Sequence, residues 1–181
     1  MTRLKALNPE TATGKTAELF TAIKGKLGLV PNMMRTMGNS NALLEGYLNF
    51  SGALGKGSLG AKLGEQIALV VADKNNCDYC GSAHAFISEK LLKINPEIIQ
   101  AVIAGESIDP KTDAALAFAK ILVDKRGQVN DADVKAVRDA GFTEGEVAEI
   151  VGHVALNTLT NYFNNVAETE IDFPRVKFQV A

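Results

Sequence analysis

The sequence lacks the features that mark several large classes of protein. Its formal net charge is only −2 over 181 residues, so it has no broad basic surface for nucleic acid or for an anionic membrane. The longest apolar run, at 67–72, is far shorter than the roughly 20 residues of a membrane span. The first ten residues have no apolar core of the kind found in signal peptides, and we therefore expect a cytoplasmic protein. With only two cysteines and a reducing cytoplasm, a disulfide kept for stability alone is not expected.

Patterns typical of β-strands are also scarce, and the one strand-like fragment is Val176–Val180. Helix start signals, in contrast, recur along the chain as a capping residue before a proline or as a capping box. They stand at Asn8–Pro9, Asn95–Pro96, Asp109–Pro110 and Thr143 with Glu146, and Ser58 is a further expected cap. Apolar residues recur with the helical period at 116–122 and at 147–154. These patterns predict an all-α fold of about seven or eight helices.

The sequence also contains a weak sign of internal duplication. A shift of 81 positions aligns four identical residues, namely Gly64 with Gly145, Glu65 with Glu146, Val70 with Val151 and Asn76 with Asn157. Chance similarity between two amphipathic helices explains four identities equally well. If the duplication is real, the second copy has Thr158, Asn161 and Asn165 at the positions of Cys77, Cys80 and His84. The chemistry would then belong to the first copy alone.

Both cysteines and one of the two histidines lie within eight residues, in the stretch CDYCGSAH at 77–84. On a helix, Cys77, Cys80 and His84 would share one face. A cysteine near a helix N-terminus is more easily ionised, a second thiol can close a disulfide, and an imidazole one turn away can carry a proton. Glu65 precedes this stretch by one helical segment and could hold the imidazole. The pattern therefore favours a dithiol redox site.

These residues resemble a known signature. Glu65, eleven further residues and then Cys77-x-Tyr79-Cys80-x-x-x-His84 look like the pattern of AhpD-like alkylhydroperoxidases, which belong to the carboxymuconolactone decarboxylase superfamily. Segments 28–54 and 157–174 are similar to peroxidase-related members. The resemblance implies one all-α domain of helical hairpins over residues 1–181, with an N-terminal helical extension and a C-terminal tail from about residue 171. It also implies a homo-oligomer, either a dimer, a trimer or a hexamer.

The same resemblance implies a thiol-dependent peroxidase that reduces alkyl hydroperoxides. Cys80 would attack the peroxide, Cys77 would resolve the product as a disulfide, and Glu65 with His84 would relay protons. No metal and no other cofactor is expected, and a small thiol, a lipoyl domain or a thioredoxin-like protein would supply electrons. Tyr79 departs from classical AhpD, which has a histidine there, and a phenol with a reference pKa of about 10 is a poor base near neutral pH. Tyr79 is therefore a candidate auxiliary residue only.

Four alternatives compete with the peroxidase interpretation. A zinc site could use both cysteines and His84, with Glu65 or His153 as a fourth ligand, but zinc sites usually draw on four clustered Cys and His ligands. A thioredoxin-type enzyme would need an alternating β/α pattern that is missing here. Superfamily members with decarboxylase chemistry generally lack the cysteine pair. A non-catalytic oligomeric member with inert cysteines is the fourth alternative.

Other residues have plainer interpretations. Met33, Met34 and Met37 lie at helical spacing and are expected to fill a core or a subunit interface. His153 lies on an apolar helix, where a core histidine is more typical than a ligand, although it is a second candidate auxiliary residue. Three asparagines recur on the C-terminal helix and are expected to cross an interface or line a pocket, namely Asn157, Asn161 and Asn164.

Overall fold

A computed structural model describes residues 2–176, and the described part of the chain is helical and contains no β-strand. Nine α-helices follow one another within residues 2–176, with a π-helical turn, Ile87–Leu91, after the fifth. The helices are α1 Gly14–Leu27, α2 Asn32–Met37, α3 Asn41–Leu54, α4 Gly60–Lys74, α5 Asp78–Phe86, α6 Pro96–Ala104, α7 Pro110–Asp124, α8 Asp131–Asp139 and α9 Glu144–Ala167.

The all-α prediction is confirmed, but the predicted number of helices is too low. Helix α2 has only six residues, too few to produce a periodic apolar signal. Helices α4 and α5 are separated at 75–77, where Asn76 adopts a positive φ of 49°. A left-handed residue of this kind ends one helix and lets the next begin in a new direction. All but the first residue of the strand-like fragment Val176–Val180 lie outside the described residues.

Three of the five predicted start signals begin helices. Asn95, Asp109 and Thr143 are the N-caps of α6, α7 and α9, and each accepts a backbone N–H with its side chain. Asn8 instead closes a local turn by accepting the N–H of Glu10 at 3.0 Å, so the prediction of a helix start there is wrong.

Ser58 does not cap α4, in contrast to the prediction. Helix α4 begins after Leu59, and the Glu149 carboxylate of α9 accepts the N–H of Ser58 at 2.7 Å and that of Leu59 at 3.1 Å. Both bonds lower the pKa of Glu149, and the bond from Ser58 has the larger effect. A distant carboxylate therefore takes the place of the local cap.

Helix α4 is central, because it packs against α5, α6, α7 and α9. One face joins a large apolar cluster formed with α6, α7, α8 and α9, in which Ile67, Leu116 and Ile150 are completely buried. A second, smaller cluster joins α1, α2 and α3 to the start of α5. Both cysteines belong to the second cluster, and Met33 and Met37 are buried there as expected.

The end of the described chain packs across α2 and α5. Asp172 accepts the backbone N–H of Asn32 at 2.8 Å, and the ring of Phe173 contacts those of Tyr79 and Phe86 at centroid distances of 5.8 and 5.7 Å. The tail therefore covers one side of the cysteine-bearing helix.

The two stretches of the proposed duplication differ in conformation. The first, at 64–84, is divided between α4 and α5, whereas the second, at 145–165, lies entirely within the continuous helix α9. The duplication stays a prediction. No helix in the described part of the chain is both long and apolar enough to cross a membrane.

Candidate active site

The cysteine pair is positioned by the break between α4 and α5. The backbone N–H of Cys77 donates to the carbonyl of Ala72 at 2.9 Å, which ties the turn to the end of α4. Cys77 is the N-cap of α5, and its sulfur accepts the backbone N–H of Cys80 at 3.3 Å. The cysteine spacing predicted that Cys77 lies on the helix itself, whereas it lies one residue before the first turn. Cys80 lies in that first turn, where the helix dipole favours negative charge.

The two sulfur atoms face each other. They are 2.6 Å apart without a bond, and both cysteines are free thiols. Cys77 is completely buried and Cys80 is 3% exposed. Because a disulfide bond has a length of about 2.05 Å, the pair can close with little movement of the backbone.

Glu65 and His84 meet beside the pair. Glu65 Oε2 lies 2.7 Å from His84 Nδ1, and each side chain is 21% exposed. The expected contact between a carboxylate on α4 and an imidazole on α5 is therefore present in the structure. Since the cysteines are almost inaccessible, this ion pair lies at the side of the site that is more open to solvent.

The surroundings of the two thiols separate their pKa values. Burial, the largest influence on Cys80, opposes its ionisation, but the hydrogen bond from Cys77, the charge of His84 and the amides of Asn164 and Asn161 outweigh it and lower the pKa to about 7. The pKa of Cys77 is raised, first because its thiol donates to Cys80 and second because it is buried. Near neutral pH, Cys80 is therefore the thiol of the pair that ionises, whereas Cys77 keeps its proton.

The pKa of His84 is raised in the same site. Burial, the largest influence, favours the neutral imidazole, but the charge and hydrogen bond of Glu65, followed by the charge of Cys80, favour the cation more strongly. A protonated His84 beside a thiolate has a proton to give to a departing oxygen. The site therefore combines a nucleophile, an acid and a second thiol.

The inner face of α9 closes the site with amide groups. Asn164 Nδ2 donates to the Cys80 sulfur at 3.2 Å. Asn161 is completely buried and contacts the turn before α5 through Asn75, whose Nδ2 donates to Asn161 Oδ1 at 3.0 Å. Asn157 Nδ2 donates to the carbonyl of His153 at 2.8 Å, and the Asn157 side chain also contributes to the raised pKa of His84. Asn164 and Asn161 thus contact the cysteine-bearing segment, and the expectation that the three asparagines cross an interface or line a pocket stays a prediction.

Tyr79 points away from the Glu65–His84 pair. Its hydroxyl accepts the backbone N–H of Met33 at 3.1 Å, and its ring packs edge-on against Phe173. Burial raises the pKa of Tyr79 despite the Met33 bond. The candidate auxiliary role of Tyr79 has no support from these contacts, because the hydroxyl fixes α2 to α5 instead.

His153 lies close to the site without touching the sulfurs. Its ring rests on Gly64, where an added Cβ would come within 2.9 Å of the His153 Cε1 atom. Burial, the largest influence, lowers the pKa of His153, although the charges of Glu149 and Glu65 oppose this effect. A neutral imidazole stacked on the backbone next to Glu65 fits a packing role better than a proton-relay role.

Tyr47 of α3 is a site residue that the sequence analysis missed. Its ring packs against the smaller cluster that contains the cysteines. Burial, followed by the charges of Glu65 and Cys80, raises the pKa of Tyr47 to about 12. A phenol that stays protonated there can donate a hydrogen bond in the site. Its place in the sequence, within LEGYLNFSGAL, carries no signal that separates it from an interface tyrosine.

Within residues 2–176, no three side chains of His, Cys, Asp or Glu are grouped so that they could hold a metal ion. The zinc alternative needs His153 or Glu65 as a further ligand. Glu65 is instead bonded to His84, and His153 rests on Gly64. The described residues therefore do not provide the ligand set that zinc prefers.

Comparison with known proteins relies on structure, because no family model and no curated protein matches the sequence. An uncharacterized peroxidase-related protein from Silicibacter sp. TM1040 is 24% identical with a TM-score of 0.80, over 94% of each chain. An uncharacterized peroxidase-related protein from Ralstonia eutropha JMP134, described as an alkylhydroperoxidase AhpD core, is 25% identical with the same TM-score, over 94% of this chain and 92% of that one.

The chain has the AhpD-like fold. The resemblance that the cysteine motif suggested is thereby confirmed at the level of the fold. The debrominase Bmp8, solved in complex with 2,3,4-tribromopyrrole, also shares the fold, with 20% identity, a TM-score of 0.80 and coverage of 95% of this chain and 92% of that one. The AhpD-like fold therefore carries more than one activity, and the site must decide between them.

Proposed function

We propose that this chain is a thiol-dependent peroxidase that reduces alkyl hydroperoxides with the Cys77–Cys80 pair. The observation that carries the proposal is the pair itself. Two unbonded sulfurs lie 2.6 Å apart, and the pKa of Cys80 is lowered to about 7 although burial opposes this. A low-pKa thiolate next to a resolving thiol is the arrangement that cysteine-based redox chemistry requires.

In the first step, the Cys80 thiolate attacks the terminal oxygen of the hydroperoxide. An S–O bond forms while the O–O bond breaks, so the sulfur loses two electrons and becomes a sulfenic acid. The alkoxide takes the proton of the His84 imidazolium and leaves as an alcohol. Glu65, bonded to His84 at 2.7 Å, stabilises the imidazolium before the transfer.

In the second step, the Cys77 sulfur attacks the sulfenic sulfur of Cys80. The S–S bond forms, the S–O bond breaks, and the departing hydroxide leaves as water with the Cys77 proton. A dithiol reductant then returns two electrons and two protons through thiol–disulfide exchange. A lipoyl group, a thioredoxin-like protein or a small thiol can fill this role.

Two single substitutions test the proposal and serve as each other's control. Cys80→Ser is expected to abolish the consumption of cumene hydroperoxide. Cys77→Ser is expected to consume about one equivalent and stop at the sulfenic acid, because the resolving thiol is missing. Free thiols are titrated and sulfenic acid is trapped before and after one equivalent of peroxide. Multiple turnovers at wild-type rate in both variants would overturn the dithiol mechanism, and the reverse pattern would exchange the two roles.

The shared fold of Bmp8 calls for one further arm in this experiment. The reduced protein is incubated with 2,3,4-tribromopyrrole, and bromide release is measured beside peroxide consumption. Bromide release without peroxide consumption would replace the peroxidase proposal with a dehalogenase.

We further propose that the chain forms a homo-oligomer through the outer face of α9. Exposed apolar residues follow this face along the helix at a spacing of three or four positions, namely Ala148, Val151, Ala155, Leu159, Tyr162 and Val166. Tyr162 is 59% and Val166 is 61% exposed. A continuous apolar stripe on a 24-residue helix is typical of a subunit contact. A cytoplasmic location stays a prediction.

A further inference from the structure

Asn161 presents a buried hydrogen-bond donor without a partner. Its side chain is completely buried, and its Nδ2 atom makes no hydrogen bond within residues 2–176. Its other end is held, because Oδ1 accepts a hydrogen bond from Asn75 Nδ2 at 3.0 Å. A buried donor without a partner is unfavourable and needs an explanation.

Asn164 lies three residues further along the same face of α9 and is 3% exposed. Its Nδ2 donates to the Cys80 sulfur at 3.2 Å. Asn161 lies close enough to the same sulfur to help lower its pKa. Two amides of one helix, α9, therefore approach Cys80.

Asn75 fixes which end of the Asn161 amide faces the sulfur. It lies in the turn between α4 and α5, and its own backbone carbonyl accepts the Nδ2 of Asn165 at 2.9 Å. With its carbonyl oxygen held by Asn75, Asn161 directs its NH₂ group away from the turn. The acceptor that this NH₂ group lacks in the neutral site would be supplied by a charged sulfur.

We propose that Asn161 and Asn164 are paired amide donors that bind the negatively charged sulfur of Cys80, and that Asn75 is the residue that positions Asn161. The inference deepens the proposed function and rests on it, since a thiolate held by two amides is the species that would attack a peroxide. Hydrogen bonds to charged acceptors are the stronger kind, which explains why two are placed on one buried atom.

The test measures how the alkylation of Cys80 by iodoacetamide depends on pH, with the modified cysteine identified by mass spectrometry. Asn161→Asp keeps the acceptor for Asn75 but replaces the donor that faces Cys80 with an acceptor. Asn164→Asp likewise replaces the Nδ2 donor that lies 3.2 Å from the Cys80 sulfur. Each is expected to move the inflection of the profile upward by about one pH unit or more. The other titratable groups around Cys80 stay in place, namely Cys77 and Tyr79 at the start of α5, His84 in its last turn, Glu65 on α4, Tyr47 on α3 and His153 on α9.

The matched control is Asn49→Asp, which makes the same amide-to-carboxylate change at an exposed position of α3. It is expected to leave the inflection within a few tenths of a pH unit. An equal shift in Asn49→Asp and Asn164→Asp would show a general charge effect and overturn the proposal. Asn75→Ala, a change in the turn between α4 and α5, is expected to give a smaller upward shift by releasing Asn161.

Nuclear magnetic resonance on the wild-type chain protects the test against variants that fail to fold. The side-chain NH₂ signals of Asn161 and Asn164 are expected to shift through the same pH range in which Cys80 ionises. Signals that stay constant would contradict the proposal. None of these readouts needs a peroxide, so the amide pair can be right while the peroxidase proposal fails, and the reverse can also be observed.

Discussion

Substitution of Glu65 by glutamine should make Cys80 harder to ionise although the two residues do not touch. Glu65 raises the pKa of His84 against the effect of burial. Without the carboxylate, burial is opposed only by the charge of Cys80 and the bond with Asn157, so we expect the pKa of His84 to fall and less of the imidazole to be protonated at neutral pH. Cys80 then loses the cation that helps to outweigh its own burial. Its thiol pKa therefore rises in the variant.

The size of the effect follows from the pKa of Cys80. A thiol with a pKa of about 7 is about half ionised at pH 7, whereas one at the ordinary value of 9.0 is ionised to about 1%. The Cys77 and Asn164 hydrogen bonds remain, so a complete return to 9.0 is the limit. We expect the thiolate fraction at pH 7 to fall about five- to 50-fold, which corresponds to a rise of about one to two pH units.

The assay is the pH profile of Cys80 alkylation and, in parallel, of hydroperoxide consumption. The loss should be large at pH 7 and nearly vanish above about pH 9.5, where the Cys80 thiol is mostly ionised in the wild type and in the variant. Glu144→Gln is the control, since Glu144 lies on α9 with its side chain 82% exposed. An inflection that stays at the wild-type pH in Glu65→Gln would refute the electrostatic link between Glu65, His84 and Cys80.

Two further predictions concern α3 and α9. Tyr47→Phe removes a hydroxyl whose pKa is raised to about 12 by burial and by the charges of Glu65 and Cys80, and loss of one neutral hydrogen bond should slow peroxide consumption about three- to tenfold. The pH profile of Cys80 alkylation should stay unchanged in Tyr47→Phe, and Tyr162→Phe is the control. An unchanged rate of peroxide consumption in Tyr47→Phe would remove Tyr47 from the mechanism. Tyr162→Asp places a charge in the exposed apolar stripe of α9 and should weaken self-association at least about tenfold in sedimentation analysis. A wild-type chain that sediments as a monomer at micromolar concentration would contradict the oligomer proposal.

The sequence allowed good predictions where the signal is local. Cysteine spacing, proline-preceded caps and apolar periodicity each depend on a few neighbouring residues, and they led to the all-α fold and to the cluster of Cys77, Cys80 and His84. Glu65 could be placed beside His84 because two consecutive helices meet across a short turn. In each of these cases, the interacting groups are close in sequence.

The sequence did not reveal contacts between distant segments. Glu149 replaces a local cap at Ser58 from about ninety residues away, and Tyr47 reaches the site only because α3 packs beside it. Tyr79 lies within the motif, yet a backbone N–H from α2 holds its hydroxyl outside the site. Position in a motif fixes which residues are neighbours along the chain, but the direction of each side chain depends on the packing of the whole fold.

Because the sulfur pair is buried, the two halves of the proposed cycle differ in how large a reactant they can accept. A hydroperoxide needs only its terminal oxygen to reach Cys80, and the side near His84 is the more open one. A reducing thiol must align its own sulfur with the buried disulfide, and a carrier protein brings its surface along as well. With Cys77 at 0% and Cys80 at 3% exposure, part of the surrounding structure has to open before the electrons can return. The rate of this opening, rather than the supply of peroxide, would then set the speed of the cycle when oxidant is plentiful.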